Sequence, residues 1–180
     1  MEETLEGHLC EFAQLLSGRC VRLEARPPKP SAPDNGPTLK VAKLSQDAYL
    51  PTRATAGSAG LDLYLPNGNL VVIGPGERRL VSTGLQVIVP EGYEGQVRPR
   101  SGRAFKDGLT VLNSPGTIDS DYRGELLVLL INLGEQSVTL MSKERIAQFV
   151  IAPVVKVRVE EISGHDGPTT RAGGFGSTGS

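Results

Sequence analysis

The residues best suited to chemistry lie in the stretch 113–124, Asn-Ser-Pro-Gly-Thr-Ile-Asp-Ser-Asp-Tyr-Arg-Gly. Two apolar runs flank it, 109–112 and 126–131, whose aliphatic and β-branched content suits strands. A hairpin tip built from Ser-Pro-Gly, two carboxylates and Arg-Gly carries more polar groups than a turn needs, and is suited to holding a ligand. The plainer alternative is an ordinary hairpin in which Asp119 and Asp121 accept from nearby backbone N–H groups as Asx turns.

Four further segments carry chemistry of their own. Asp62 stands in the apolar run Ala-Gly-Leu-Asp-Leu-Tyr, where a carboxylate needs an Arg, backbone donors or a hydrated metal as partner. In Pro99-Arg100-Ser101-Gly102-Arg103, guanidinium groups, a hydroxyl and freed backbone N–H groups would suit a phosphate, unless the corner is only a helix N-cap. Arg145 and Gln148 precede an apolar strand and read equally well as surface positions. The tail from Arg171 to Ser180 has the composition of a disordered end. Its glycines would also let backbone N–H groups wrap a polyphosphate while Phe175 stacks on a planar base.

Elements that could position these residues follow from the pattern of the chain. Its 180 residues suffice for one domain and a tail, and 19 basic against 20 acidic residues give a net charge of −1. With no global pull toward nucleic acid or acidic membranes, any anion must be held by a local site. Cys10 and Cys20 imply no disulfide framework, and neither a membrane span nor a signal peptide is apparent, so a soluble, cytoplasmic protein is expected. Residues 3–17 place Leu5, Leu9, Phe12, Leu15 and Leu16 at helical spacing, suited to docking or to folding back on the domain. A Pro-rich linker follows at 26–38. From 39 onward short β-like runs dominate, at 39–44, 59–64, 69–73, 77–82, 85–89, 94–100, 109–112, 126–132, 138–140, 145–153 and 156–160. A tight turn is expected at 90–95, and one or two helical turns around 102–106. Such spacing indicates an all-β sandwich, jelly roll or barrel. The run 126–131 is apolar on both alternating faces and must be covered on both, which points to an oligomer.

Taken in order, the five segments resemble the five motifs of the trimeric dUTP pyrophosphatases: Ala-Gly-Leu-Asp at 59–62, Pro-Arg-Ser-Gly at 99–102, the hairpin 113–124, Arg-Ile-Ala-Gln at 145–148 and Gly-Gly-Phe-Gly-Ser-Thr-Gly at 173–179. The resemblance spans roughly 39–180. It implies an extension at 1–25, a linker at 26–38, a jelly-roll core at 39–163 and a lid at 164–180. It also implies a homotrimer with shared active sites, hydrolysis of dUTP to dUMP and pyrophosphate, and Mg²⁺ as cofactor. Under it, Asp119 activates the water that attacks the α-phosphorus. Asn113 and the hairpin groups of Gly116, Thr117 and Ile118 read the uracil edge, and Tyr122 packs under deoxyribose. Arg100, Ser101, Gly102 and Gln148 hold the α and β phosphates, with Asp62 on Mg²⁺ or its water shell. Arg171, Ser177 and Thr178 clamp the γ-phosphate, while Phe175 and Gly176 belong to the closing lid.

Arg103 departs from the family pattern, which has an apolar residue there. The related dCTP deaminases are a rival, less similar at Asp119-Ser120-Asp121-Tyr122. A non-enzymatic signalling module on the same fold would be expected to lack Asp119, Tyr122 or the tail, and all are present.

Overall fold

The computed structural model describes residues 36–164. The helix expected at 3–17, most of the linker, both cysteines, and the tail residues Arg171, Phe175, Gly176, Ser177 and Thr178 lie outside the described residues.

Ten strands and one short helix run in the order β1 (Lys40–Lys43), β2 (Leu61–Tyr64), β3 (Val71–Ile73), β4 (Arg78–Ile88), β5 (Tyr93–Arg98), α1 (Ser101–Asp107), β6 (Leu109–Val111), β7 (Gly116–Ile118), β8 (Glu125–Asn132), β9 (Val138–Leu140) and β10 (Arg145–Pro153). They form two four-stranded sheets, β1-β4-β8-β6 and β2-β10-β5-β7, and a β3-β9 pair. Neighbours in each sheet are far apart in sequence, as in a jelly roll, and every pairing is antiparallel.

Alternation decides what is inside. On β8, Leu126, Val128 and Leu130 are buried with Asn132, while Leu127, Leu129 and Ile131 are only half-covered. The buried set joins Leu63, Val81, Val87, Val97 and Phe149 in one core. Each such side chain contributes about 1.5–3 kcal/mol relative to exposure. Buried Asn132 is satisfied by donating to the carbonyls of Ile73 (2.9 Å) and Gln136 (2.7 Å) and accepting from Gly134 N–H (2.9 Å).

Two expectations need correction. The runs 77–82 and 85–89 are one strand, β4, whose pairing with β8 shifts between Ser82 and Gln86. Gly84, at φ 65°, absorbs that irregularity, so a glycine that reads as a break is a bulge. The run 156–160 forms no strand, because nothing in the described chain pairs with it, and Val155, Val157 and Val159 stay exposed. A single chain covers only one face of β8, which leaves the second cover to come from outside it, as the sequence led one to expect. Its outer residues Leu127, Leu129 and Ile131 lie beside exposed Leu80 and Leu112.

Candidate active site

Asp62 is the most buried charged group of the described residues, at 4 % exposure. Its burial is compensated from two sides. Arg100 Nε lies 3.3 Å from Oδ1, and Arg145 donates to Oδ2 at 3.2 Å. The fold makes this possible through register: β10 lies between β2 and β5, so Gln148 stands opposite both Asp62 and Arg98. Arg145 and Gln148, three apart, would face opposite ways on a regular strand. A register shift between Arg145 and Ala147 brings Arg145 back onto Asp62. Gln148 also lies against the bare backbone of Gly60, where a Cβ would come within 3.0 Å of its Oε1.

At the end of β5 the chain turns through Pro99 into α1. The helix is capped by Arg100, whose side chain makes no capping bond; the backbone N–H groups of Arg103 and Ala104 bond the Arg100 carbonyl, at 3.1 and 3.0 Å. The corner is thus a helix N-cap, as the plainer reading has it, but one made by the Arg100 backbone with no side-chain bond. Ser101 is the first helical residue and, like Gly102, is exposed. N–H groups in a first helical turn have no intrahelical acceptor, and one carboxylate between two guanidiniums leaves excess positive charge. An anion suits this corner.

The hairpin runs back along β5, beginning near its end and reaching its tip toward its start. β7 pairs with β5, setting Gly116 against Val97 and Ile118 against Gly95. Asn113 folds back over Gly116, with its Nδ2 3.0 Å from where a Cβ would stand, across a cis Ser114-Pro115 bond. Thr117 points outward, Ile118 packs on the core, and Asp119 is exposed. The tip is closed by its own atoms. Tyr122 N–H donates to the Asp119 carbonyl (3.2 Å), and Arg123 donates to the carbonyls of Ser120 and Tyr122, both at 2.8 Å. The Tyr122 hydroxyl donates to the Glu125 carbonyl at 2.9 Å, and its ring lies over Gly124, where any side chain would collide with it. Asp119, Ser120 and Asp121 line an open cleft of about 870 Å³ against the β4–β5 turn at 88–94, Lys40 and Lys156.

The structure thus brings Asp62, Arg100, Ser101, Gly102 and Gln148 together at the end of β5, sets Gly116 and the Asn113 folded over it beside Val97, and runs on through Thr117 and Ile118 to Asp119 and Tyr122 at the tip, toward the start of β5. Gly116 opposes Val97 and Ile118 opposes Gly95, three and five residues before Arg100, or roughly 10 and 17 Å along the strand at about 3.3 Å per residue. The sequence placed Arg145 in a motif that reads equally well as surface, and gave Arg123 no role of its own. Only the register shift reveals the first, and only the loop closure the second.

The same motifs are matched as a whole by the dUTPase family model, over residues 46–179. The chain belongs to the dUTPase family. It is 57% identical to the deoxyuridine 5'-triphosphate nucleotidohydrolase of Hydrogenobaculum sp. over 141 residues, 78% of this chain and 97% of that relative. Among solved structures, it resembles the dUTPase of Staphylococcus bacteriophage 80alpha with dUPNHPP. That match has a TM-score of 0.72 and 29% identity, and covers 79% of this chain and 98% of the phage chain. A variant dUTPase from phage phi11, described with a structural Mg(II) ion, matches with a TM-score of 0.65 and 25% identity, covering 71% of this chain and 98% of that one. The jelly-roll dUTPase fold therefore extends over the described chain, and the family match continues into the tail.

Proposed function

We propose that this dUTPase hydrolyses dUTP to dUMP and pyrophosphate as a homotrimer, with the hairpin of one subunit closing on the Arg100–Gln148 corner of another. The observation that carries this reading is that the hairpin tip, with Asp119, lies against the start of β5 while the Arg100–Gln148 corner stands at its end. The half-covered row Leu80, Leu127, Leu129 and Ile131 supplies an apolar face for the contact.

In the proposed site, Asn113 and the backbone of Gly116, Thr117 and Ile118 read the uracil edge. Tyr122, fixed by Glu125 and Gly124, presents its ring to deoxyribose and leaves no space for a 2′-hydroxyl. Asp119 holds a water in line with the α-phosphorus and takes its proton as the P–O bond forms, and pyrophosphate leaves. Arg100, Ser101, Gly102 and Gln148 bind the α and β phosphates by charge and N–H donation. Arg171, Ser177 and Thr178 clamp the γ-phosphate, and Phe175 with Gly176 closes over the base, so the core at 39–163 works with a lid at 164–180.

Mg²⁺ fits this site only as an ion carried on the phosphates with its waters. Both Asp62 oxygens face guanidiniums, and the described residues hold no group of three His, Cys, Asp or Glu side chains that could cage a metal. Bound Mg²⁺ would neutralise phosphate charge, and Asp62, which keeps Arg100 and Arg145 in place, would be the residue to hold its water shell. No helix of the described residues is long and apolar enough to cross a membrane; a cytoplasmic location is part of the proposal.

Pyrophosphate release measured side by side with dUTP, dCTP, dTTP and UTP tests the reading. Release from dUTP alone is expected; deamination of dCTP, or equal release from all four, would overturn it.

A further inference from the structure

We propose that Arg103 is a positioning residue: it holds α1 at the angle the phosphate corner needs, acting through Glu144 and not by touching nucleotide. The proposal rests on the reading above that the start of α1 receives phosphate. α1 has seven residues, none of them buried, and Phe105 is 90 % exposed. Apolar packing does not fix so short a helix, and it is not stable alone.

What ties α1 to the sheets is charge. Arg100 at its start reaches Asp62 of β2, and Arg103 reaches Glu144, just before β10, at 3.6 Å. Glu144 is itself held in place: its carboxylate accepts from Met141 N–H (3.2 Å), its own N–H donates to the Met141 carbonyl (3.0 Å), and its carbonyl accepts from Leu65 N–H (2.9 Å). The next residue, Arg145, closes on Asp62. Arg100, Asp62, Arg145, Glu144 and Arg103 therefore form a ring of alternating charge around the start of α1. Chain continuity from Glu144 to Arg145, and the bond from Arg103 N–H to the Arg100 carbonyl, complete it.

Simpler uses of Arg103 fit less well. A cation near a helix start opposes the helix dipole, and the Arg103–Asp107 pair (2.9 Å, one turn apart) has its positive member first, the weaker order. Helix stability alone does not call for it. Nor is it a free cation awaiting phosphate, since its side chain is 24% exposed and meets two carboxylates.

The test is amide hydrogen exchange over residues 101–107 in the full-length protein, at low and high salt, together with kcat and KM for dUTP. Wild type is compared with Arg103→Met, Glu144→Gln and the double variant. Each single change is expected to speed exchange of α1 about fivefold, the reach of a partly exposed ion pair, and the double variant to go no further. High salt should move wild type toward the variants and leave them unmoved. KM should rise by a similar factor with kcat little changed. Unaltered exchange in Arg103→Met would overturn the proposal. So would KM effects that multiply in the double variant, the pattern of an Arg103 that meets phosphate directly. A wild type that orders α1 through Arg103 yet releases no pyrophosphate would overturn the proposed function, and the exchange data would still decide the role of Arg103.

Discussion

At one end of β5 the hairpin tip is closed by hydrogen bonds spanning one to three positions, from Tyr122 to Glu125 and from Arg123 to Ser120 and Tyr122. At the other end the phosphate corner depends on ion pairs between β2, α1 and β10, the longest spanning 83 positions. A loop closed by local bonds keeps its shape whatever it is pressed against, so it can serve as a preformed reader inserted into another subunit. A corner built of distant charges exists only after the sheets have formed. The base-reading half and the phosphate-binding half are therefore expected to fail in different ways.

The largest effect should come from the hairpin. Asp119→Asn keeps size and most hydrogen bonding but removes the proton acceptor, so turnover should fall at least about a hundredfold with fold and dUTP affinity retained. Steady-state kinetics beside a nucleotide titration checks this, and near-normal turnover would remove Asp119 from its role. Mixing sharpens the comparison further. Asp119→Asn and Arg100→Gln chains, each inactive alone, should regain about a quarter of wild-type activity when unfolded and reassembled together, because random pairing joins an intact hairpin to an intact corner at one site in four. A mixture that stays inactive would mean that each chain serves its own nucleotide.

Next in size is the tail. Deleting residues 173–180 should lower kcat/KM at least about tenfold while leaving assembly and Tm nearly unchanged, since the lid acts only on bound nucleotide. Full activity in the truncated protein would reduce the tail to a plain end. Leu129→Asp tests the apolar face: a carboxylate there would have to be buried without a partner, so light scattering should show the trimer mass falling toward that of a single chain at micromolar concentration. The smallest effect is expected at Gly124→Ala. The added methyl displaces the Tyr122 ring, and discrimination of dUTP against UTP should drop about tenfold with little change in Tm.

Much of this molecule was legible in the order of its residues. The run 126–132 was legible as a strand apolar on both faces, but which set, Leu126, Val128 and Leu130, turns inward came only from the packing. The polar hairpin at 113–124 and the short helix near 102–106 stand where the spacing put them. The misses share a cause. Whether Gly84 interrupts a strand or bulges it depends on what β8 offers opposite, and 156–160 lacks a strand partner that its own alternating valines cannot supply.

By itself, then, the sequence determined which residue types are available for chemistry and which runs must be strands, since side-chain periodicity and turn chemistry are local properties of the chain. Only tertiary structure decided that Asp62 is held between Arg100 and Arg145, that Arg103 reaches Glu144, and that the hairpin runs along β5 so that its tip stands away from the phosphate corner. Those facts depend on the register between strands tens of residues apart, and register is fixed by the whole packed core at once.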